Sequence, residues 1–175
     1  MPWSVIHTAP AIIDEVQKYN PQKVIELGIG FGKYGALVRE ILDGIHGRCA
    51  REQWQATIRG VEIFEPYANP LWQMYDQVTI GNFLDLEIVG YDLVLMVDSL
   101  EHLAPTIGRA FIEKLKAANK RLIVSVPNGP CPQDGVMYGN EHERHLATYY
   151  PRDIEAMGGK IIHTGFCVVG SIPGA

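Results

Sequence analysis

Cysteine is scarce in this chain. Cys49, Cys131 and Cys167 are odd in number and widely scattered. That excludes a disulfide framework and any cysteine-based metal spacing, and it fits reduced thiols in a cytoplasmic protein. Long apolar runs are missing too. The longest clean one near the centre, Leu93 to Val97, is far too short to span a bilayer. The first twenty residues already include His7, Asp14, Glu15 and Lys18, which is unlike a secretory leader. There is no excess of positive charge: 15 Lys and Arg against 20 Asp and Glu give a net charge of −5. This argues against a large nucleic-acid footprint. Repeats and low-complexity segments are absent as well. What is present is an ordinary globular composition, 47% apolar and 20% charged over 175 residues. We expect one domain over 1–175 with a sizeable core.

The most informative stretch runs from Val24 to Gly35, VIELGIGFGKYG. Val24 to Leu27 reads as a buried strand carrying the acid Glu26 near its carboxyl end. Gly28, Gly30 and Gly32 alternate through a tight turn. Tyr34, Leu37, Val38, Ile41, Leu42 and Ile45 then recur on one face of a helix. Glycine lets a backbone approach a ligand closely, and the free N–H groups of a first helical turn face it. A strand, this turn and a helix together make a nucleotide site.

Other elements follow the same logic. Before the first strand, Ile12, Ile13, Val16 and Tyr19 give an apolar helix face, with Thr8 as its expected N-cap and Asn20-Pro21 as its stop. Asp43 to Arg59 reads as a polar connection with some helix in Ala50–Ala56. Thr57 to Ile63 is a second strand that carries Glu62 to its tip. In a parallel sheet this carboxylate lies beside the glycine turn, where an acid can accept both ribose hydroxyls. Glu65 to Tyr75 reads as a short helix, and Gln77 to Ile80 as a third strand followed by Gly81-Asn82-Phe83-Leu84-Asp85. Tyr91 to Asp98 is the central strand, apolar throughout as a strand covered on both faces should be. Asp98 stands in the crevice or caps the next turn with Glu101. Ile107 to Ala118 is an amphipathic helix with Ile107, Ala110, Phe111 and Leu115 inward. Arg121 to Pro127 is the fifth strand. Tyr150 to Gly159 is a short helix, and Lys160 to Thr164 and Phe166 to Ile172 are one or two closing strands. Strand and helix alternate in this way in a doubly wound, mostly parallel, Rossmann-like α/β sheet. So little chain remains at the end that the final antiparallel strand is expected to be short or missing.

The segments VIELGIGFGKYG, GVEIFEPY, YDLVLMVDSLEHL and VSVPNG with GNEHERH resemble a known family, from about Trp3 to Gly170. The GxGxG turn after Glu26 resembles motif I of the class I S-adenosylmethionine (SAM) methyltransferases, and YDLVLMVDSLEHL resembles their motif IV. The last pair resembles a bacterial and phage group of small members. The resemblance implies SAM as cofactor. It implies cofactor contacts from Glu26, Gly28, Gly30 and Gly32, from Glu62 with Ile63, from Asn82 with Phe83, and from Asp98. An acidic or amide residue after the third strand would read the adenine amino group. Asn82 and Asp85 both qualify, and Asn82 lies nearer the strand tip.

The loop from Asn128 to His145 is long for a compact domain, and such loops are usually functional. It holds Asn140-Glu141-His142-Glu143-Arg144-His145. His145, next to the following helix, is the candidate base for a hydroxyl acceptor, since histidine titrates near neutrality. His142 and Glu143 join it as candidate catalytic residues, Glu143 or Glu141 as its orienter. No ligand spacing demands a metal, and the His/Glu cluster reads as a solvated polar loop. His102 reads as a packing or positioning residue. Three functions compete. SAM-dependent methyl transfer, with a sugar or other small-molecule hydroxyl as acceptor, leads. A non-catalytic module that keeps the SAM pocket is second. A nicotinamide-dependent oxidoreductase is third, opposed by the GxGxG spacing and by the lack of a Tyr-x-x-x-Lys pair.

Overall fold

The computed structural model describes residues 3–135 and 139–175. Seven strands form one sheet: β1 (Lys23–Leu27), β2 (Thr57–Glu62), β3 (Gln77–Ile80), β4 (Leu93–Val97), β5 (Arg121–Pro127), β6 (Lys160–Thr164) and β7 (Cys167–Pro173). Their order is β3-β2-β1-β4-β5-β7-β6. Strands β1 to β5 are parallel, and β7 runs antiparallel to both β5 and β6. Among the described residues the α-helices are α1 (Ala9–Tyr19), α2 (Lys33–Leu42), α3 (Pro105–Ala118) and α4 (Pro151–Ala156).

Strand geometry sends alternate side chains to opposite faces, and two cores result. Val24, Leu93, Leu95 and Val97 pack with Ile12, Val16 and Val38 from α1 and α2. Ile25, Leu27, Val94 and Met96 pack on the other face with Phe111, Ile112 and Leu115 of α3 and Ile154 of α4. Winding reverses between β1 and β4, so a crevice opens at their carboxyl ends, the place where ligands bind in such sheets.

Several expectations are corrected. The last strand is neither short nor missing: β7 is seven residues long, six of them buried, and pairs with β5 along its whole length. Residues 160–173 fold as a hairpin, so one short stretch supplies both closing strands. Thr8 precedes α1 but makes no side-chain cap; its hydroxyl donates to the Val5 carbonyl and pairs with Tyr34 Oη at 3.0 Å. Residues 65–75 form two 3-10 turns, Glu65–Tyr67 and Pro70–Met74, because Pro66 and Pro70 interrupt any longer ladder. The Asp43 to Arg59 connection has 3-10 turns at Gly44–His46 and Arg51–Gln53 in place of an α-helix. In α3 the inward face is Gly108, Phe111, Ile112 and Leu115, while Ile107 is exposed. Gly108 allows this rotation, since a Cβ there would stand 2.9 Å from Tyr149 Oη. Ile45, expected on the α2 face, is exposed beyond the helix end.

Two buried polar groups brace the sheet. Arg39 is 2% exposed. It donates to Asp43 (2.6 Å), to Asp76 (2.7 Å) and to the Ala56 carbonyl (2.7 Å), and it stacks 3.8 Å from the Trp54 ring. Both ionic partners and a carbonyl compensate the desolvation of its charge. Behind the glycine turn, Tyr75 Oη donates to Glu26 at 2.6 Å and accepts from the Gly35 N–H at 3.1 Å. Burial raises the Glu26 carboxyl to about 8, against the opposing pull of the Tyr75 hydrogen bond.

Glu26 therefore holds a proton in the folded chain over a range where the unfolded chain has lost it. Stability from this group is full below its ordinary value of 4.5 and falls as pH rises toward about 8. Glu26→Gln should keep the neutral hydrogen-bonding shape and flatten that decline, measured as thermal midpoint against pH for both proteins. A Cβ at Gly35 would lie 2.1 Å from Tyr75 Cζ. Gly35→Ala is expected to lower stability by about 1–3 kcal/mol in denaturant melts, by overpacking the ring.

Candidate active site

The glycine turn is built from both neighbouring strands. The N–H groups of Gly28 and Ile29 both donate to the Val61 carbonyl at the end of β2, at 2.9 and 3.2 Å. Gly28, Gly30 and Gly32 have φ of 77°, 51° and 83°, the left-handed region that favours glycine. A Cβ on Gly28 would also meet Ser99 Cβ at 2.9 Å, so glycine here lets the end of β4 close on the turn. The Glu62 carboxylate fastens the arrangement. Its Oε2 accepts from the Gly30 N–H at 2.8 Å and its Oε1 from the Phe64 N–H at 3.0 Å. Burial pushes the Glu62 carboxyl up, and those backbone N–H bonds pull the other way.

A cavity of about 130 Å³, partly open to solvent, lies against this turn. Of the residues proposed from sequence for a cofactor, Gly28, Gly30, Glu62, Ile63, Asn82, Phe83 and Asp98 line it. Glu26 and Gly32 do not: Glu26 is beneath the turn with Tyr75, and Gly32 backs onto Trp72 and Tyr75. Asn82 combines two tasks, because its Oδ1 also accepts from the Leu84 N–H at 3.0 Å. Asp85 is exposed and takes no part in the lining. Asp98 does not cap the next turn. It sits at φ 50°, accepts from Ser125 Oγ at 2.7 Å and from the Val5 N–H at 3.3 Å, and the turn Leu100–His102 has no side-chain cap.

The segment ahead of α1 forms one wall. Ser4 lines the cavity, and Lys33 Nζ donates to the carbonyls of Trp3 and Ser4. Trp3 packs edge-on to Phe31, which packs on Tyr67. Of the opposite wall, the long loop supplies Asn140, His142 and Glu143, joined by Tyr67, His102 and Leu103. The loop is pinned at its base, where Asn128 bridges to Tyr149 and the Gly129 N–H donates to the Tyr149 carbonyl at 2.8 Å. Glu143 is buried and engaged: Tyr67 Oη donates to its Oε1 at 2.9 Å, and Gln133 Nε2 donates to its Oε2 at 3.1 Å. His142 is at the exposed rim. Outside the lining, half-buried His145 packs edge-on to His102, with ring centroids 4.9 Å apart. The Glu141 carboxylate points outward to Arg144 at 3.7 Å.

Sequence reasoning missed Ser4, Tyr67, Leu84, Val97, Ser99, Leu103 and Asn140 in the lining, and gave His102 a packing or positioning role. Ser4 lies in no motif; Tyr67, Val97, Ser99, Leu103 and Asn140 lie inside the quoted segments and Leu84 follows Phe83, but their residue types carry no separate signal there. His102 carried a signal: it directly follows Glu101, at the mouth of the crevice. Glu101 is 2% exposed and its Oε2 has no hydrogen-bond partner. Burial and the nearby Asp98 charge raise its carboxyl well above the ordinary range, and burial lowers His102.

No protein-family model matches the chain, and no curated protein matches it in sequence. Solved structures do match in shape. One is the methyltransferase domain of the bacterial protein CtHen1, with a TM-score of 0.62 at 17% identity over 97% of this chain and 100% of that one. A second is magnesium protoporphyrin IX methyltransferase from Synechocystis, solved with bound S-adenosylhomocysteine (SAH), with a TM-score of 0.66 at 16% identity over 97% and 83%. A third is the N-terminal domain of EvdMO1, solved in the presence of SAH and D-fucose, with a TM-score of 0.63 at 14% identity over 98% and 85%. At such identities the likeness is one of architecture, and the chain has the fold of the SAM-dependent methyltransferases of class I.

Proposed function

We propose that residues 1–175 form a SAM-dependent methyltransferase domain that acts in the cytoplasm on a sugar or other small-molecule hydroxyl. The observation that carries this reading is the composition of the cavity beside the glycine turn. The glycine turn, Glu62, Asn82 and Asp98 meet there with the histidine-bearing loop that leaves β5. The fit to a nucleoside with an amino-acid tail rests on the cradle itself: a Cβ at Gly28 would collide with Ser99, and two strand-tip carboxylates face the space. Gly28 and Gly30 would admit the cofactor against the backbone. Glu62 would accept from the ribose with the lone pairs its two backbone donors leave free, and Ile63 and Phe83 would flank the adenine. Asn82 would meet the adenine edge and Asp98 the cationic end. Glu26 and Gly32 would act one layer behind, by fixing the turn. The cofactor supplies an activated methyl group, and the chain supplies alignment.

On the acceptor side, Glu143 holds the loop shut through Tyr67 and Gln133, and His142 meets the acceptor at the rim. His145 acts from behind His102. The EvdMO1 domain, solved in the presence of SAH and D-fucose, is consistent with a sugar as acceptor.

Calorimetry of the purified chain with SAM, SAH and NAD tests the cofactor. SAM and SAH should bind and NAD should not; a folded chain that binds NAD alone overturns the reading. Gly28→Ala should abolish SAM binding while circular dichroism stays native. Labelled-methyl transfer to a panel of sugars, small phenols and amines tests turnover. His145→Ala should keep SAM affinity and lose roughly 10²- to 10⁴-fold in rate on the acceptor found. SAM binding with no transfer to any acceptor class would mark a binding module instead.

A further inference from the structure

Among the described residues, Glu101, His102 and His145 each offer one ligand atom, all within 4.8 Å of one another. The protonation pattern of the two rings follows from their partners. His102 Nδ1 faces the Arg144 carbonyl at 3.1 Å, and His145 Nδ1 faces the Cys131 carbonyl at 2.5 Å. A carbonyl oxygen can only accept, so each Nδ1 carries the hydrogen. In the neutral ring the lone pair is then on Nε2. Backbone carbonyls that fix the tautomer and aim of an imidazole are the usual outer partners of metal-bound histidines. The third member, Glu101, is buried with Oε2 unpartnered. Two imidazoles and a buried carboxylate thus gather, and the carboxylate Oε2 has no hydrogen-bond partner among the described residues. A buried acceptor left in this way is costly unless something positive joins it.

We propose that Glu101, His102 and His145 bind one divalent first-row cation of the manganese, iron, cobalt or zinc class at the acceptor end of the cavity. The ligand set selects this class, since imidazoles favour these ions over magnesium or calcium, which prefer all-oxygen sites. Ligands about 2.1 Å from a shared ion stand no more than ~4.2 Å apart, so the group contracts by some tenths of an ångström on binding. Three protein ligands leave coordination positions open, as catalytic sites do. His102 also lines the cavity, so those positions face the acceptor. This proposal departs from the sequence reading of the loop as solvated and metal-free.

The site also narrows the acceptor class, and this part rests on the methyl-transfer reading. An open position on such an ion takes oxygen and lowers the pKa of a bound hydroxyl. The hydroxyl proton leaves to solvent, and the oxygen forms a bond to the methyl carbon. The carbon–sulfur bond of the sulfonium breaks, and sulfur keeps the electron pair. His145 then serves as a ligand and not as the base.

The test uses the full chain after chelator treatment, titrated with manganese(II) chloride and followed by calorimetry and by electron paramagnetic resonance of free Mn²⁺. One ion per chain is expected, with a rise in thermal midpoint. Glu101→Gln and His145→Ala should each weaken binding by about 10- to 100-fold or more. His46→Ala, on an exposed turn, should leave it unchanged. Two substitutions at separate segments guard against one failing to fold, which circular dichroism reports. No binding of Mn²⁺, Co²⁺ or Zn²⁺ by the wild-type chain, or undiminished binding in both variants, overturns the site. SAM binding is measured on the same samples. SAM binding without cation binding overturns the cation site alone, whereas cation binding without SAM binding overturns the methyl-transfer reading alone.

Discussion

The hydrogen bond from the Gly30 N–H to the Glu62 carboxylate is the contact on which the site depends. It crosses from the tip of β2 to a turn whose residues hold left-handed backbone angles. Such angles persist only where surrounding structure over-determines them. Glu62 does so with one oxygen on Gly30 and the other on Phe64, while the Val61 carbonyl takes two further N–H groups. Charge-assisted bonds to backbone donors are the stronger kind. Through them the first two strands end at one level, and the floor of the cavity is set before any ligand arrives. The Gly30 carbonyl, held in place, accepts from Trp72 Nε1 and ties in the 3-10 turn that leads to β3.

A second constraint lies behind the first. Glu26 points into the protein, to Tyr75, whose hydroxyl also receives the first-turn N–H of Gly35. One acid at a strand end thus lines the cavity and the other serves the packing side. Both belong to sequence contexts that look alike, a strand followed by glycine or an aromatic. What separates them is the face to which each side chain turns.

The fold was readable where signals were local and strong. The GxGxG turn, the all-apolar β4 and the apolar period of α1 each specify one element without outside help. The failures share a cause: the deciding contact came from far along the chain. Arg39 looks like a surface residue of α2 until Asp76 and Trp54 arrive beside it. The face of α3 is shifted by Gly108 meeting Tyr149, and β7 is long because β5 offers seven partners. Helix propensity in 65–75 lost to prolines at 66 and 70. In the site, the glycines, acids and amide of the motifs were found, while motif neighbours such as Ser99, Leu103 and Tyr67 were not. Tyr67 enters only because its hydroxyl reaches a glutamate 76 positions later. Glu101 read as a capping residue, since burial without a partner is a property of three dimensions.

The pinned base of the loop after β5 has an evolutionary consequence. Asn128 and Tyr149 meet across the ends of the excursion, so the chain between them leaves the sheet and returns to almost the same point. Lengthening such a closed excursion adds only about 0.6 kcal/mol of entropy for each doubling, and its length has no leverage on β5 or α4. The loop that lines the cavity is therefore interchangeable in a way the glycine turn is not. Descendants of this domain can trade one loop for another while the two cores and the glycine cradle stay as they are.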